Sequence, residues 1–254
     1  MVLALAIPIW GLSRFVGVIG ALKVPITDLM LAFTPLTAGA VLVLRGEGPE
    51  GLVRFLKGAL DVGKLARSGW APTVLLLAPL AYLLTYVGLH LTGHSGVARI
   101  NWLGLPVVAA VMLLLAIGEE AGWTGYLLDP LQERFGAVGA SLIIAVPWWL
   151  GHIPSILEIG GDMADLAWWV LGAMALRVLM TWLYNNSGRA LSATVLFHTM
   201  LNVGRTVTYP TMGSHYDPAY QATGYVIFSM IAVVVGAIWG AQTLMGRHKR
   251  VPVP

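Results

Sequence analysis

Two carboxylates stand side by side in one of the most apolar stretches of this chain: Glu119 and Glu120, within Leu115-Ala116-Ile117-Gly118-Glu119-Glu120-Ala121-Gly122-Trp123-Thr124-Gly125. Two histidines interrupt other apolar stretches, His152 after Trp148-Trp149-Leu150-Gly151 and His198 after Phe197. Asn202 follows His198 by one helical turn, so the two share a helix face. Two carboxylates, two imidazoles and one amide form a hydrolytic inventory. It contains a base that can take a proton from water and donors that can meet an oxyanion. Each residue also has a plain structural reading: a carboxylate can bond a neighbouring helix, and a lone histidine can be a satisfied bundle residue. However, a charge at the bilayer centre costs roughly 2.5–3.5 kcal/mol even on lenient insertion scales. Adjacent carboxylates also repel, so a cation or a proton must sit nearby.

The elements that position these residues are membrane helices. Of 254 residues, 57% are hydrophobic and 11% charged, against roughly 25% charged in a soluble domain. Runs of about 20 apolar residues, the length a bilayer core requires, recur near 2–22, 27–44, 71–92, 103–127, 138–157, 165–184, 190–208 and 221–244. The first run is read as a span rather than a cleaved signal. Lipid-exposed segments must satisfy their own backbone hydrogen bonds. The expected fold is therefore all-α, a polytopic membrane helix bundle of about eight transmembrane helices. It is read as one domain over 1–254 with a core at about 103–208. Gly118, Gly122 and Gly125 leave one side of their helix bare for another backbone. Pro147 is positioned to bend the helix carrying His152. At about 1.5 Å per residue, Glu119 and His198 each lie about 12 Å from the inner ends of their spans, and His152 about 21 Å along its own.

Lysine and arginine placement sets the orientation. With both termini inside, the inner segments hold Arg45, Arg54, Lys57, Lys64, Arg67, Arg134, Arg189, Arg247, Lys249 and Arg250, and the outer loops hold Lys23 and Arg99. Arg14, Arg177 and Arg205 fall within spans, where Arg14 and Arg205 are read as snorkelling to an interface. Segment 45–70 alternates apolar and basic residues, as a helix on the inner membrane surface would. The tail Arg247-His248-Lys249-Arg250 reads as an inner anchor toward anionic lipid. His90 and His94, four apart, read as an interfacial pair, with a metal pair as the alternative.

At the polar residues the chain resembles the CAAX-processing and bacteriocin-processing intramembrane proteases, also called the abortive-infection family. That family's first motif, usually Glu-Glu-x-x-Trp-Arg-Gly, corresponds to Glu119-Glu120-Ala121-Gly122-Trp123-Thr124-Gly125. Its aromatic-x-x-x-His motif corresponds to Trp148 and His152, and its His-x-x-x-Asn motif to His198 and Asn202. The segment Arg177-Val178-Leu179-Met180-Thr181-Trp182-Leu183-Tyr184-Asn185 is also similar to bacterial members. The chain departs at Thr124, where the family has arginine; Arg177 is the candidate to replace that cation, with snorkelling to the inner surface as its alternative. The resemblance implies that Glu119 acts as general base on water with His152 helping to hold it. It implies that His198 and Asn202 stabilise the oxyanion and that Glu120 orients or supports. The family has been read both as metal-dependent and as a metal-free glutamate protease.

The expected function is an intramembrane endopeptidase cutting near the cytoplasmic side of a prokaryotic plasma membrane, multi-pass, with both termini cytoplasmic. The alternative is a catalytically impaired member acting as a membrane immunity or partner protein. A proton-coupled transporter predicts duplicated halves, which the sequence does not display. No cofactor is expected; the alternative is a divalent metal such as zinc on Glu119, His152 and His198. The expected partners are a peptide or protein substrate and membrane lipids. No feature suggests nucleic acid. With no cysteine in the chain, disulfide and thiolate chemistry are excluded.

Overall fold

The computed structural model describes residues 1–13, 15–19, 24–59, 61–94, 96, 102–212 and 215–246. Arg14, Lys23, Arg99 and the basic tail Arg247-His248-Lys249-Arg250 lie outside them. The chain forms helices α1 (Val2–Leu12), α2 (Ile26–Leu31), α3 (Thr34–Gly58), α4 (Val62–Ser68), α5 (Ala71–Leu91) and α6 (Leu105–Glu120). A π-helical segment (Ala121–Leu128) leads into α7 (Asp129–Glu158), followed by α8 (Met163–Asn186), α9 (Leu191–Thr208) and α10 (Pro218–Trp239). Two short antiparallel hairpins complete it, β1 (Val18–Ile19) with β2 (Val24–Pro25), and β3 (Thr211–Met212) with β4 (His215–Tyr216). The molecule is an all-α polytopic bundle, and its apolar helices correspond in order to the eight hydrophobic stretches. Five continuous helical stretches are long and apolar enough to cross a membrane; one of them, Leu105–Glu158, runs through α6, the π segment and α7.

Glycines with left-handed dihedrals divide the longest helices. Gly48 (φ 70°) separates the apolar part of α3 from a basic part that begins at Pro49. The inner-surface helix expected over 45–70 is thus two pieces, the end of α3 and α4. Gly136 (φ 72°) breaks α7, and the backbone N–H groups of Ala137 and Val138 donate instead to the carbonyls of Gln242 and Ala241. Helical dihedrals continue through Pro147, so the bend expected there falls at Gly136. Side chains of Asp61, Asp162 and Asp217 cap α4, α8 and α10, accepting from backbone N–H groups that an N-terminal turn leaves unpaired.

α8 forms the middle of the bundle, with 16 of its 24 residues buried and with α7 and α10 packed on either side. α5 and α10 expose Leu76, Leu80, Leu84, Val233, Val234 and Ile238, the outward apolar surface that lipid requires. The first hydrophobic stretch behaves differently from expectation. α1 occupies only 2–12 of it; at 1.5 Å per residue that is about 16 Å, short of a bilayer core of about 30 Å. The chain then turns and pairs β1 with β2.

Candidate active site

Glu119 and Glu120 end α6, where the α-helical pattern gives way to the π segment. π-bulges are rare and recur at functional sites. The glycines around them permit close packing on one side. A Cβ built on Gly118 would lie 2.7 Å from the Ala32 carbonyl oxygen, and one on Gly122 would collide with the Pro35 carbonyl. The bare helix side expected from Gly118, Gly122 and Gly125 therefore receives the α2–α3 backbone at the first two positions, and Phe55 and Leu191 side chains at the third.

The two glutamates face different partners, as adjacent helical residues about 100° apart should. Glu120 is fully buried. Its Oε2 accepts from the Thr124 hydroxyl at 2.6 Å and from Arg177 Nη1 at 3.0 Å, and its Oε1 lies 2.9 Å from His198 Nδ1. Arg177 on α8 is therefore the cation that stands in for the arginine missing at position 124. The Thr124 hydroxyl holds the same carboxylate oxygen. The alternative for Arg177, snorkelling to a surface, does not occur: the side chain is 3% exposed. Its guanidinium lies over the Trp148 ring, 4.0 Å from the centroid.

Glu119 turns to Trp148, whose indole Nε1–H donates to Glu119 Oε2 at 2.5 Å. A chain of contacts, Glu120 to Arg177 to Trp148 to Glu119, thus fixes both carboxylates. His152 Nδ1 lies 2.8 Å from the Trp148 carbonyl oxygen. A carbonyl only accepts, so Nδ1 carries the proton, and Nε2 of the neutral ring is an acceptor. The Trp148 ring packs edge-on against both His152 and His198.

Glu119, His152, His198 and Asn202 all line one cavity of about 150 Å³ between α2, α6, α7 and α9, whereas Glu120 lies outside its lining, behind His198. The similar depths expected for the first motif and His198 correspond to the direct Glu120–His198 contact. A divalent ion on Glu119, His152 and His198 does not fit this arrangement. Among the described residues, no three His, Cys, Asp or Glu side chains gather within reach of one ion. Of the other two histidines four apart, His90 stacks on Tyr86, and His94 pairs with Asp217 at 3.6 Å.

Three features of the cavity were missed in the sequence. Asp28 of α2 lines it and accepts a hydrogen bond from Ser155 of α7. The signal was an acid at the very edge of the second span. Trp148 is legible in the sequence as a motif aromatic, whereas its N–H donation to Glu119 is not. The usable signal was an indole deep in a span, whose N–H needs a partner. Arg205 does not snorkel; it lines the cavity with its guanidinium over Tyr216, 5.2 Å from the ring centroid.

Comparison with known proteins agrees with the motifs. Residues 101–204 match the family described as Type II CAAX prenyl endopeptidase Rce1-like. The chain is 24% identical over 217 residues to the CAAX prenyl protease 2 of Methanococcus maripaludis, an alignment covering 79% of this chain and 77% of that protein.

Proposed function

We propose, for a chain that is an intramembrane protease of the CAAX-processing and bacteriocin-processing family, that Glu119 is the general base and that peptide hydrolysis takes place in the cavity it lines. The observation that carries this reading is the division of labour between the two glutamates. Glu120 is saturated by Thr124, Arg177 and His198, whereas Glu119 faces the cavity and is held through one oxygen by Trp148. Water placed between Glu119 and His152 Nε2 gives a proton to Glu119, and its oxygen bonds to the scissile carbonyl carbon. The carbonyl oxygen becomes the oxyanion and accepts from the Asn202 amide. The C–N bond then breaks, and the proton on Glu119 passes to the departing nitrogen. His198 Nδ1 is committed to Glu120, so its neutral ring offers Nε2 as an acceptor and donates to the oxyanion only when doubly protonated. Glu120 orients His198, and Arg177 balances the charge of Glu120.

No step of this chemistry is assigned to a metal. The substrate is a peptide or protein, membrane-associated, and the site faces the cytoplasmic side of a prokaryotic plasma membrane. Glu119→Gln should abolish cleavage while leaving the thermal unfolding profile unchanged. Asn202→Ala should lower turnover about 10² to 10³-fold, the usual cost of losing one oxyanion donor. Comparing membrane proteomes of cells carrying wild type and Glu119→Gln reads out the substrate. Full activity in Glu119→Gln would overturn the assignment. One zinc per active chain, with activity lost on its removal and restored on its return, would overturn the metal-free mechanism.

A further inference from the structure

The second piece of α3 does not continue outward from the bundle. In a straight helix Phe55 would stand about 24 Å along the axis from Gly39. Gly48, at φ 70°, turns the chain instead, and a Cβ built on Gly39 would lie 3.0 Å from the Phe55 ring. The same ring would lie 3.7 Å from a Cβ on Gly125, in the π segment that directly follows Glu119 and Glu120. Gly51 and Ala59 are buried and Phe55 half-buried, at successive steps of four residues, so this stripe is the inward face. Ala59 packs in one cluster with Ala116, Leu191 and Val195, and Ser192 donates to the Asp61 carbonyl. In α4, Leu65 is buried. The segment from Pro49 to Ser68 therefore lies back against the bundle, joined to helices that carry the site.

The outward face of this segment is both apolar and basic. Val53, Leu56 and Lys57 share one side of the helix, at spacings of three and four, and all are exposed. Val62, Lys64 and Arg67 are exposed on α4. All twelve acidic residues of the chain are described, and none pairs with Lys57, Lys64 or Arg67: the ion pairs are Arg54–Glu47, His94–Asp217, Arg177–Glu120, Arg189–Asp129 and His198–Glu120. Of the acids nearby, Glu47 is taken by Arg54, and Asp61 caps α4. Exposed valine and leucine beside unpaired cations suit a helix lying in the headgroup layer. There the apolar side meets acyl chains and the cations meet phosphate. We propose that Pro49–Ser68 docks on anionic phospholipid headgroups of the leaflet at this end of the molecule, and that docking holds Phe55 against Gly125 and so fixes the π segment behind the two glutamates. Charge selects the occupant. Near an anionic surface each lysine or arginine favours contact about 5-fold, whereas a neutral lipid surface engages the apolar side chains alone. The segment thereby couples the charge of the membrane to the packing of the site. This goes beyond the protease reading and does not depend on it.

The test follows stability, so it needs no substrate. The full chain in neutral detergent micelles receives phosphatidylglycerol or, in parallel, phosphatidylcholine, and the thermal midpoint is read. Phosphatidylglycerol should raise the midpoint roughly 5–10 °C above phosphatidylcholine. The triple variant Lys57→Gln, Lys64→Gln, Arg67→Gln should keep its midpoint in plain detergent, because all three side chains are exposed, and should lose most of the difference. Salt at about 1 M shortens the screening length to about 3 Å. It should abolish the difference in the unmutated chain, which decides the point should the triple variant fail to fold. Phe55→Ala should carry phosphatidylglycerol through gel filtration as the unmutated chain does, yet show a smaller midpoint rise. Equal midpoints in the two lipids would overturn the inference. So would a difference that survives the triple substitution, which assigns it to other cations. A rise of the same size from soluble polyglutamate would make an acidic protein the occupant and overturn it as well. A full rise in Phe55→Ala would refute the coupling to the π segment.

Discussion

At the scale of the residue, the buried pair of Glu120 and Arg177 determines what a substitution does. Both partners are enclosed, at 0% and 3% side-chain exposure. Removing one leaves the other as an uncompensated charge, which costs roughly 3–5 kcal/mol. Arg177→Met should therefore lower the thermal midpoint of the detergent-solubilised protein sharply. Thr124→Arg, added to that variant, returns a cation one turn from Glu120 on the same helix and should recover much of the loss. By itself Thr124→Arg should destabilise, because it places a second cation where Arg177 already stands and where Thr124 is 3% exposed. A double variant no more stable than Arg177→Met would show that Arg177 does more than neutralise Glu120. Single residues were legible where hydropathy makes a polar group anomalous, as at Glu119, Glu120, His152 and His198. They were illegible where position supplies an innocent explanation. Asp28 stands at a span edge and Arg205 near a helix end, and only the tertiary contacts show that both face the cavity.

At the scale of the element, the approach of α3 to the π segment is set by the absence of a side chain at Gly122. A methyl there meets the backbone of Pro35, which cannot rotate away as a flexible side chain could. Gly122→Ala should cost about 1–3 kcal/mol, as overpacking does, and should also lower activity, because the displaced segment directly follows Glu119 and Glu120. Gly46→Ala is the control, since a methyl there meets nothing within 4 Å. Thermal unfolding of the two variants side by side checks this; equal midpoints would contradict it. The small-residue spacing alone announced that some backbone would come close, but not which one, because spacing carries no information about the partner. The same limit explains the first hydrophobic stretch. Composition over 2–22 satisfies a membrane window, yet Val18 and Ile19 pair as a strand. Hydropathy averages do not distinguish a helix from an apolar turn and hairpin.

At the scale of the whole molecule, tertiary bonds gather the basic segments at one end. Ser192, at the start of α9, donates to the Asp61 carbonyl at the head of α4. Asn185 and Asn186, at the close of α8, donate to the carbonyls of Thr243 and Leu244. Asn185 also donates to Gln132 near the start of α7. Arg54, Lys57, Lys64, Arg67, Arg134 and Arg189 all belong to the segments so joined, and all are exposed. The opposite end holds the turn from α7 to α8 with Glu158, Asp162 and Asp165, where Glu158 accepts from Thr27 at 3.3 Å. Inner loops of membrane proteins are enriched in lysine and arginine, so the basic end should face the cytoplasm. The chain contains no cysteine, so single cysteines at Arg54 and Asp162 report without background. A membrane-impermeant thiol reagent added to intact cells should modify the Asp162→Cys protein, and the Arg54→Cys protein should react only after the membrane is opened. The reverse pattern would invert the orientation. Reaction of both from one side would mean that the helices between them cross the bilayer an even number of times, which α5, α6 and α7 as three spans do not allow.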